Sequence, residues 1–155
     1  MAAVPDAAAR PTPDEVGAHM YAADRASQSL GMRIVAIGAG TATLEMAVRD
    51  DMLNGHAICH GGFITTLADS AFAFACNSRN QLTVAAGLTV DFLQSVERGD
   101  VLTAAAAEVS RSGRTGVYDI VVTNRAGERV ALVRGRSATL TGRTVVPVAL
   151  NEEAP

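Results

Sequence analysis

The chain has 155 residues, 48% hydrophobic and 19% charged, which is the size and composition of one globular domain and excludes a disordered protein. Aromatic residues make up only 4% and Trp is absent, and the net charge is −3 with a pI near 5.5, so a general nucleic-acid binder is excluded as well. The charge is uneven: up to Ser110, 6 Arg stand against 12 Asp and Glu, whereas Arg111 to Arg143 holds 7 Arg against Asp119 and Glu128, a local balance of +5 that suits an anionic ligand.

Residues 1–13 are rich in Ala and Pro and read as a flexible leader, followed by one domain over 14–143 and a tail over 144–155 without a clear period. Asp14 is placed to cap a short helix running to Ala23, and a second helical stretch over 24–30 ends at Gly31. A strand follows at 33–37. Over 41–49, apolar Ala42, Leu44, Met46 and Val48 alternate with Thr43, Glu45, Ala47 and Arg49, the period of a half-buried strand. A polar loop at 50–62 opens onto a helix over 62–77, where Ile64, Leu67, Ala68, Ala71 and Ala75 share one face and small residues permit close packing on a sheet. Strands are expected at 82–93, 101–111, 116–123 and 129–140, with hairpin turns at Ser112-Gly113 and Arg125-Ala126-Gly127. One long apolar helix among antiparallel strands predicts an α+β fold in which a curved sheet wraps that helix.

Two cysteines, Cys59 and Cys76, are too few for a disulfide scaffold. No signal peptide is visible and no apolar run approaches the roughly 18 residues of a membrane span. A cytoplasmic protein with no membrane or nucleic-acid partner is expected.

The densest polar cluster is Asn54-Gly55-His56-Ala57-Ile58-Cys59-His60-Gly61-Gly62, followed by Asp69 inside the apolar helix. Three chemistries compete for it. His56, Cys59 and His60 are metal-ligand types, but all are local and no second cluster completes a tetrahedral set, so no metal is expected. A Cys59–His60 nucleophilic pair conflicts with their being sequence neighbours whose side chains diverge, and small apolar packing suits both thiols better. Third, Gly61 and Gly62 put backbone N–H groups at the positive end of a helix, the geometry that stabilises the oxyanion of acyl transfer, although two glycines alone also make an ordinary tight turn. Asp69 shifts the balance, because a carboxylate in so apolar a helix is costly without a role or a partner. Gly61 and Asp69 are 8 positions apart, about 12 Å along a helix, so one carbonyl cannot touch both within a single straight helix. A shared site then requires a homodimer.

The runs Asn54-Gly55-His56, Cys59-His60-Gly61-Gly62, Leu67-Ala68-Asp69-Ser70-Ala71-Phe72-Ala73 and Ala75-Cys76-Asn77-Ser78 resemble the signature of the PaaI (phenylacetic acid degradation) thioesterases of the hotdog-fold superfamily. Asp91-Phe92-Leu93, Gly99-Asp100 and Thr115-Gly116-Val117-Tyr118-Asp119 extend the likeness. The resemblance implies a helix wrapped by about six antiparallel strands, a homodimer assembling as a dimer of dimers, and hydrolysis of an acyl-CoA with no cofactor beyond the CoA of the substrate. It implies that Asp69 is the catalytic carboxylate, that Gly61 supplies the oxyanion donor, and that Asn54 and His60 place substrate or water. It also implies an aryl-acyl-CoA of phenylacetate catabolism, such as phenylacetyl-CoA, as substrate.

The chain departs from the pattern in places, and substitutions at Ala57, Ile58 and Phe63 to Thr66 are expected to reshape the acyl pocket. Gln94-Ser95 replaces a common Arg-Pro, and Ala85 stands where some relatives hold water with Ser or Thr, leaving Thr65 or Thr66 as substitutes. For the CoA portion, Gly62, Thr66, Arg111, Arg114, Thr115, Arg134 and Arg136 are the candidate contacts, with Arg134 and Arg136 on one strand face. A solvated, charge-protected sheet edge explains each Arg equally well. The competing readings are a non-catalytic acyl-CoA-binding hotdog protein and a thioesterase for medium-chain aliphatic acyl-CoA. A hotdog hydratase would want an Asp and His in a spacing that is absent.

Overall fold

The computed structural model describes residues 10–148, so most of the expected leader and residues 149–155 of the tail lie outside the described residues. Helices α1 (Pro13–Ala23) and α2 (Arg25–Ser29) precede strands β1 (Arg33–Gly38) and β2 (Thr41–Ala47). A one-turn 3₁₀ segment over Asp50–Met52 leads to the long helix α3 (Gly61–Asn77). Strands β3 (Thr83–Phe92), β4 (Val101–Ser112), β5 (Thr115–Thr123) and β6 (Arg129–Thr139) complete the chain. The fold is the expected α+β hotdog: one six-stranded antiparallel sheet, in the order β1-β2-β4-β5-β6-β3, curled around α3.

Alternation along the strands decides which face meets the helix. Ala42, Leu44 and Met46 of β2, Leu102, Ala104 and Ala106 of β4, and Tyr118, Ile120 and Val122 of β5 are all buried against α3. From α3 itself come Ile64, Leu67, Ala68, Ala71 and Ala75, together with Phe72 and Phe74. Close approach of helix and sheet depends on Gly135 in β6, where a Cβ would stand 2.9 Å from the Phe72 ring. Register shifts in β1, β3 and β4 mark bulges, which add the local twist that a sheet needs to wrap a helix.

One detail differs from the sequence expectation. Helix α1 starts at Pro13 under a capping box, with Thr12 accepting from Glu15 N and Glu15 accepting from Thr12 N, so Thr12 rather than Asp14 is the cap. Strand β3 is a sheet edge and is mostly exposed, with Leu88 and Val90 alone among its larger apolar residues packing on the core.

Candidate active site

The site is built where the loop after β2 feeds α3. Asn54 organises that loop. Its Oδ1 accepts from His56 N at 2.9 Å and from Ile58 N at 3.4 Å, while its backbone N–H donates to Ile58 O at 2.8 Å. The tight turn holds Ala57 at a φ of 58°, a conformation rare for a residue with a Cβ. With Oδ1 engaged, the Asn54 side-chain amide keeps its N–H donors, and the residue lines a groove of about 440 Å³ shared with Ile58, Cys59, Gly61, Ile64 and Phe92.

His60 is the N-cap of α3, and its Nδ1 accepts from Gly62 N at 2.9 Å. In the neutral ring this fixes the proton on Nε2. The bond corrects the expectation that Gly62 offers its N–H to a ligand, because the donor is already taken by the imidazole. Gly61 N–H, by contrast, has no acceptor among the described residues, and Gly61 lines the groove at the positive end of a 17-residue helix. The hydroxyls of Thr65 and Thr66 donate back to Gly61 O and Gly62 O at 2.8 and 2.7 Å, so both protons are engaged and only their oxygen lone pairs remain.

Asp69 lies two turns further along α3, half-buried, with no hydrogen bond or ion pair among the described residues. Burial alone holds its carboxyl above the ordinary value. The next residue, Ser70, bonds Ser27 Oγ at 3.0 Å, and Ser27 in turn bonds Asp24, which fastens α2 across this part of the helix. That anchor gives no signal in the sequence, because Ser27 and Ser70 are 43 positions apart. Burial pushes the Cys76 thiol up to about 12, with the Asp69 carboxylate adding to the push, and burial raises the Cys59 thiol too. Both thiols therefore stay protonated near neutrality and are poor nucleophiles. Among the described residues no three His, Cys, Asp or Glu side chains converge as a metal site would require.

The basic residues divide into separate places. Arg111 and Arg114 line one groove of about 550 Å³ with Gln81, Thr139, Arg143 and Thr144, and Arg111 donates to Gln81 Oε1 at 2.8 Å. Arg143 belongs to this groove, and no motif in the sequence singles it out. Thr115 donates its hydroxyl to Ser112 O at 3.0 Å and braces the turn rather than lining the groove. Arg134, a candidate phosphate contact, forms a two-pronged ion pair with Asp119 at 2.7 and 2.8 Å. Arg136 shares its exposed face but lies across Gly87, where a Cβ would stand 2.5 Å from its guanidinium. None of these Arg residues lines the groove beside Gly61.

The sequence matches the Thioesterase superfamily over residues 56–131. It is 45% identical over 123 residues to the acyl-coenzyme A thioesterase PaaI of Escherichia coli strain K12, covering 79% of this chain and 88% of that protein. The solved structure of the E. coli PaaI protein from the phenylacetic acid degradation operon superposes with a TM-score of 0.83 at 42% identity, covering 85% of this chain and 95% of that one. A variant of the phenylacetic acid degradation protein PaaI of Thermus thermophilus gives 0.73 at 37% identity, over 76% of this chain and all (100%) of that one. A Streptococcus mutans protein solved bound to acetyl CoA gives 0.70 at 26% identity, over 73% and 91%. In the described residues no helix is long and apolar enough to cross a membrane.

Proposed function

This chain belongs to the thioesterase superfamily, and from that membership we propose that it hydrolyses an aryl-acyl-CoA, such as phenylacetyl-CoA or a ring-hydroxylated relative, to the free acid and CoA. One observation carries the mechanism: α3 begins with an unengaged Gly61 N–H on a groove and, 8 positions on, holds a carboxylate with no partner among the described residues. The thioester oxygen accepts from Gly61 N–H, which stabilises the oxyanion that forms as the carbonyl carbon is attacked. Asp69 takes the proton of the attacking water, or attacks directly to give an anhydride that water then opens. In both routes the C–S bond breaks and the thiolate leaves as CoA after gaining a proton. A carboxyl raised above its ordinary value is a stronger base than a free Asp, which suits the first role. Asn54 lines the same groove and His60 caps the helix beside it, and the two help place substrate or water.

The two groups are about 12 Å apart along α3, so a complete site takes Gly61 from one copy and Asp69 from another. Strand β3 offers the means. It is a ten-residue sheet edge carrying exposed Val84 and Phe92, the kind of edge that pairs with a second chain. Two-fold pairing across β3 runs the strands antiparallel and sets the Phe92 end of one copy against the Thr83 end of the other. The Arg111 and Arg114 groove lies at the Thr83 end, because Thr83 pairs with its lining residue Thr139. The CoA phosphates are thereby met by the copy that also provides Asp69.

The test is thiol release from a panel of aryl- and alkyl-acyl-CoAs by the wild-type chain and by Asp69→Ala. Hydrolysis that favours aryl esters and is lost in the variant supports the reading. Binding without thiol release by the wild type, or near-normal turnover by Asp69→Ala, overturns it.

A further inference from the structure

One wall of the Gly61 groove has no part in the chemistry above. Phe92, the last residue of β3, is large and apolar yet 54% exposed. Its ring lies directly on Gly61: a Cβ placed there would stand 2.8 Å from Cζ and 3.2 Å from Cε1 and Cε2. Glycine at 61 is therefore required for the ring to rest where it does, independently of the backbone N–H. Part of the ring touches the residue that carries the unengaged donor, and the rest borders a groove whose other apolar lining is Ile58, Ile64 and Leu93. The ring and the unengaged donor therefore meet at one residue of the groove wall.

We propose that Phe92 is the acyl-selecting residue, its ring being the face against which a flat, apolar acyl group lies while the carbonyl oxygen sits at Gly61. The assignment rests on the thioesterase reading above and adds to it the element that favours aryl over short acyl groups. Two aromatic rings attract each other in offset or edge arrangements at centroid separations of about 4.5–7 Å, an interaction an acetyl group cannot make. Gly61 has two separable tasks in this arrangement, to donate its N–H and to leave room for the ring. Gly61→Ala keeps the first and removes the second, because the added methyl displaces the ring from its place.

The experiment measures kcat/KM for phenylacetyl-CoA and acetyl-CoA by thiol release, using the full chain as wild type, Phe92→Ala, Phe92→Leu, Gly61→Ala and the Gly61→Ala/Phe92→Ala double variant. Truncating a half-exposed side chain opens no core cavity, and thermal melts with size-exclusion chromatography confirm that each variant is folded and assembled like the wild type. The phenylacetyl-to-acetyl ratio is expected to fall about tenfold in Phe92→Ala, the size of one aromatic contact, and less in Phe92→Leu. Gly61→Ala should lower the ratio by a similar factor, and the double variant should fall no further, because both substitutions remove one contact. A ratio within about twofold of wild type in Phe92→Ala, or effects that multiply in the double variant, overturns the assignment. If the wild type hydrolyses both esters and needs Asp69 while the ratio stays fixed, Phe92 alone is misassigned. If the wild type releases thiol from neither ester, the thioesterase reading falls together with it.

Discussion

The Gly61 donor can be deleted without losing a protein hydrogen bond. Proline lacks the N–H and is favoured at the first position of a helix, which is the place Gly61 occupies in α3. The preceding residue, His60, already has φ −63° and ψ 131°, the extended conformation that a following proline imposes. No protein hydrogen bond is lost, since Gly61 N–H has no acceptor among the described residues and the His60 Nδ1 bond goes to Gly62. Gly61→Pro and Gly61→Ala both put a Cβ against Phe92, so the ring is displaced in each and Gly61→Ala is the control that keeps the N–H. Loss of one oxyanion donor costs about 10²–10³ in kcat, or about 2.7–4 kcal/mol, so Gly61→Pro should turn over a given acyl-CoA that much more slowly than Gly61→Ala. The assay is steady-state thiol release at saturating substrate, with melting temperatures for both proteins to show that the helix start survives. Equal kcat values in two folded variants would refute the oxyanion role of Gly61 and move the donor elsewhere in the groove.

Asp69→Asn should abolish turnover while making the protein more stable at pH 7. The folded-state carboxyl lies above its ordinary 3.8, so across that window the folded chain holds a proton the unfolded chain has released, stability falls as pH rises, and the deficit persists above the window. The gain in melting temperature should close on acidification below about pH 4, and a variant less stable than wild type at pH 7 would mean that the carboxylate has a stabilising partner. Mixing Asp69→Ala with Gly61→Pro, each nearly inactive, should restore part of the activity through hybrid dimers holding one intact site; no recovery despite proven subunit exchange would exclude a shared site. Arg114→Ala should raise KM for CoA esters and not for a short thioester lacking the nucleotide, whereas Arg134→Ala should leave KM for both unmoved because its guanidinium is engaged by Asp119. A larger KM effect from Arg134 than from Arg114 would reverse these assignments.

What the sequence displays and what it conceals divide by the range of the interaction. The β2 alternation and the α3 face from Ile64 to Ala75 are read within a few residues of chain, and both stand in the structure as expected. The capping box Thr12-Pro13-Asp14-Glu15 is equally local, and its Thr-x-x-Glu spacing is the signal that places the cap before Asp14. His60 as N-cap is local too, but His is not among the residues that favour that position, so composition gives no reason to withdraw Gly62 N–H from the ligand. The Arg134–Asp119 pair depends on the β5–β6 register, in which Asp119 faces Arg134, and register follows from the whole hairpin rather than from either residue.

The same division runs through the site. Asn54, His60, Gly61 and Asp69 lie within one loop and one helix, and a local pattern can show them. Phe92 reaches Gly61 across 31 positions, through the pairing of β3 with β6 and the wrapping of the sheet around α3, so nothing near either residue announces the contact. Along the chain the two glycines look alike, a pair of backbone donors at a helix start. Folding separates them: the imidazole closes Gly62, and the ring on Gly61 leaves that residue its N–H while forbidding it a side chain. Chemistry that depends on backbone donors is legible in sequence only as permission for close approach. Which donor is open is settled by the neighbouring imidazole, and which glycine must stay bare by a ring brought from elsewhere, which is why the Gly61→Pro and Gly61→Ala pair interrogates the fold as much as the mechanism.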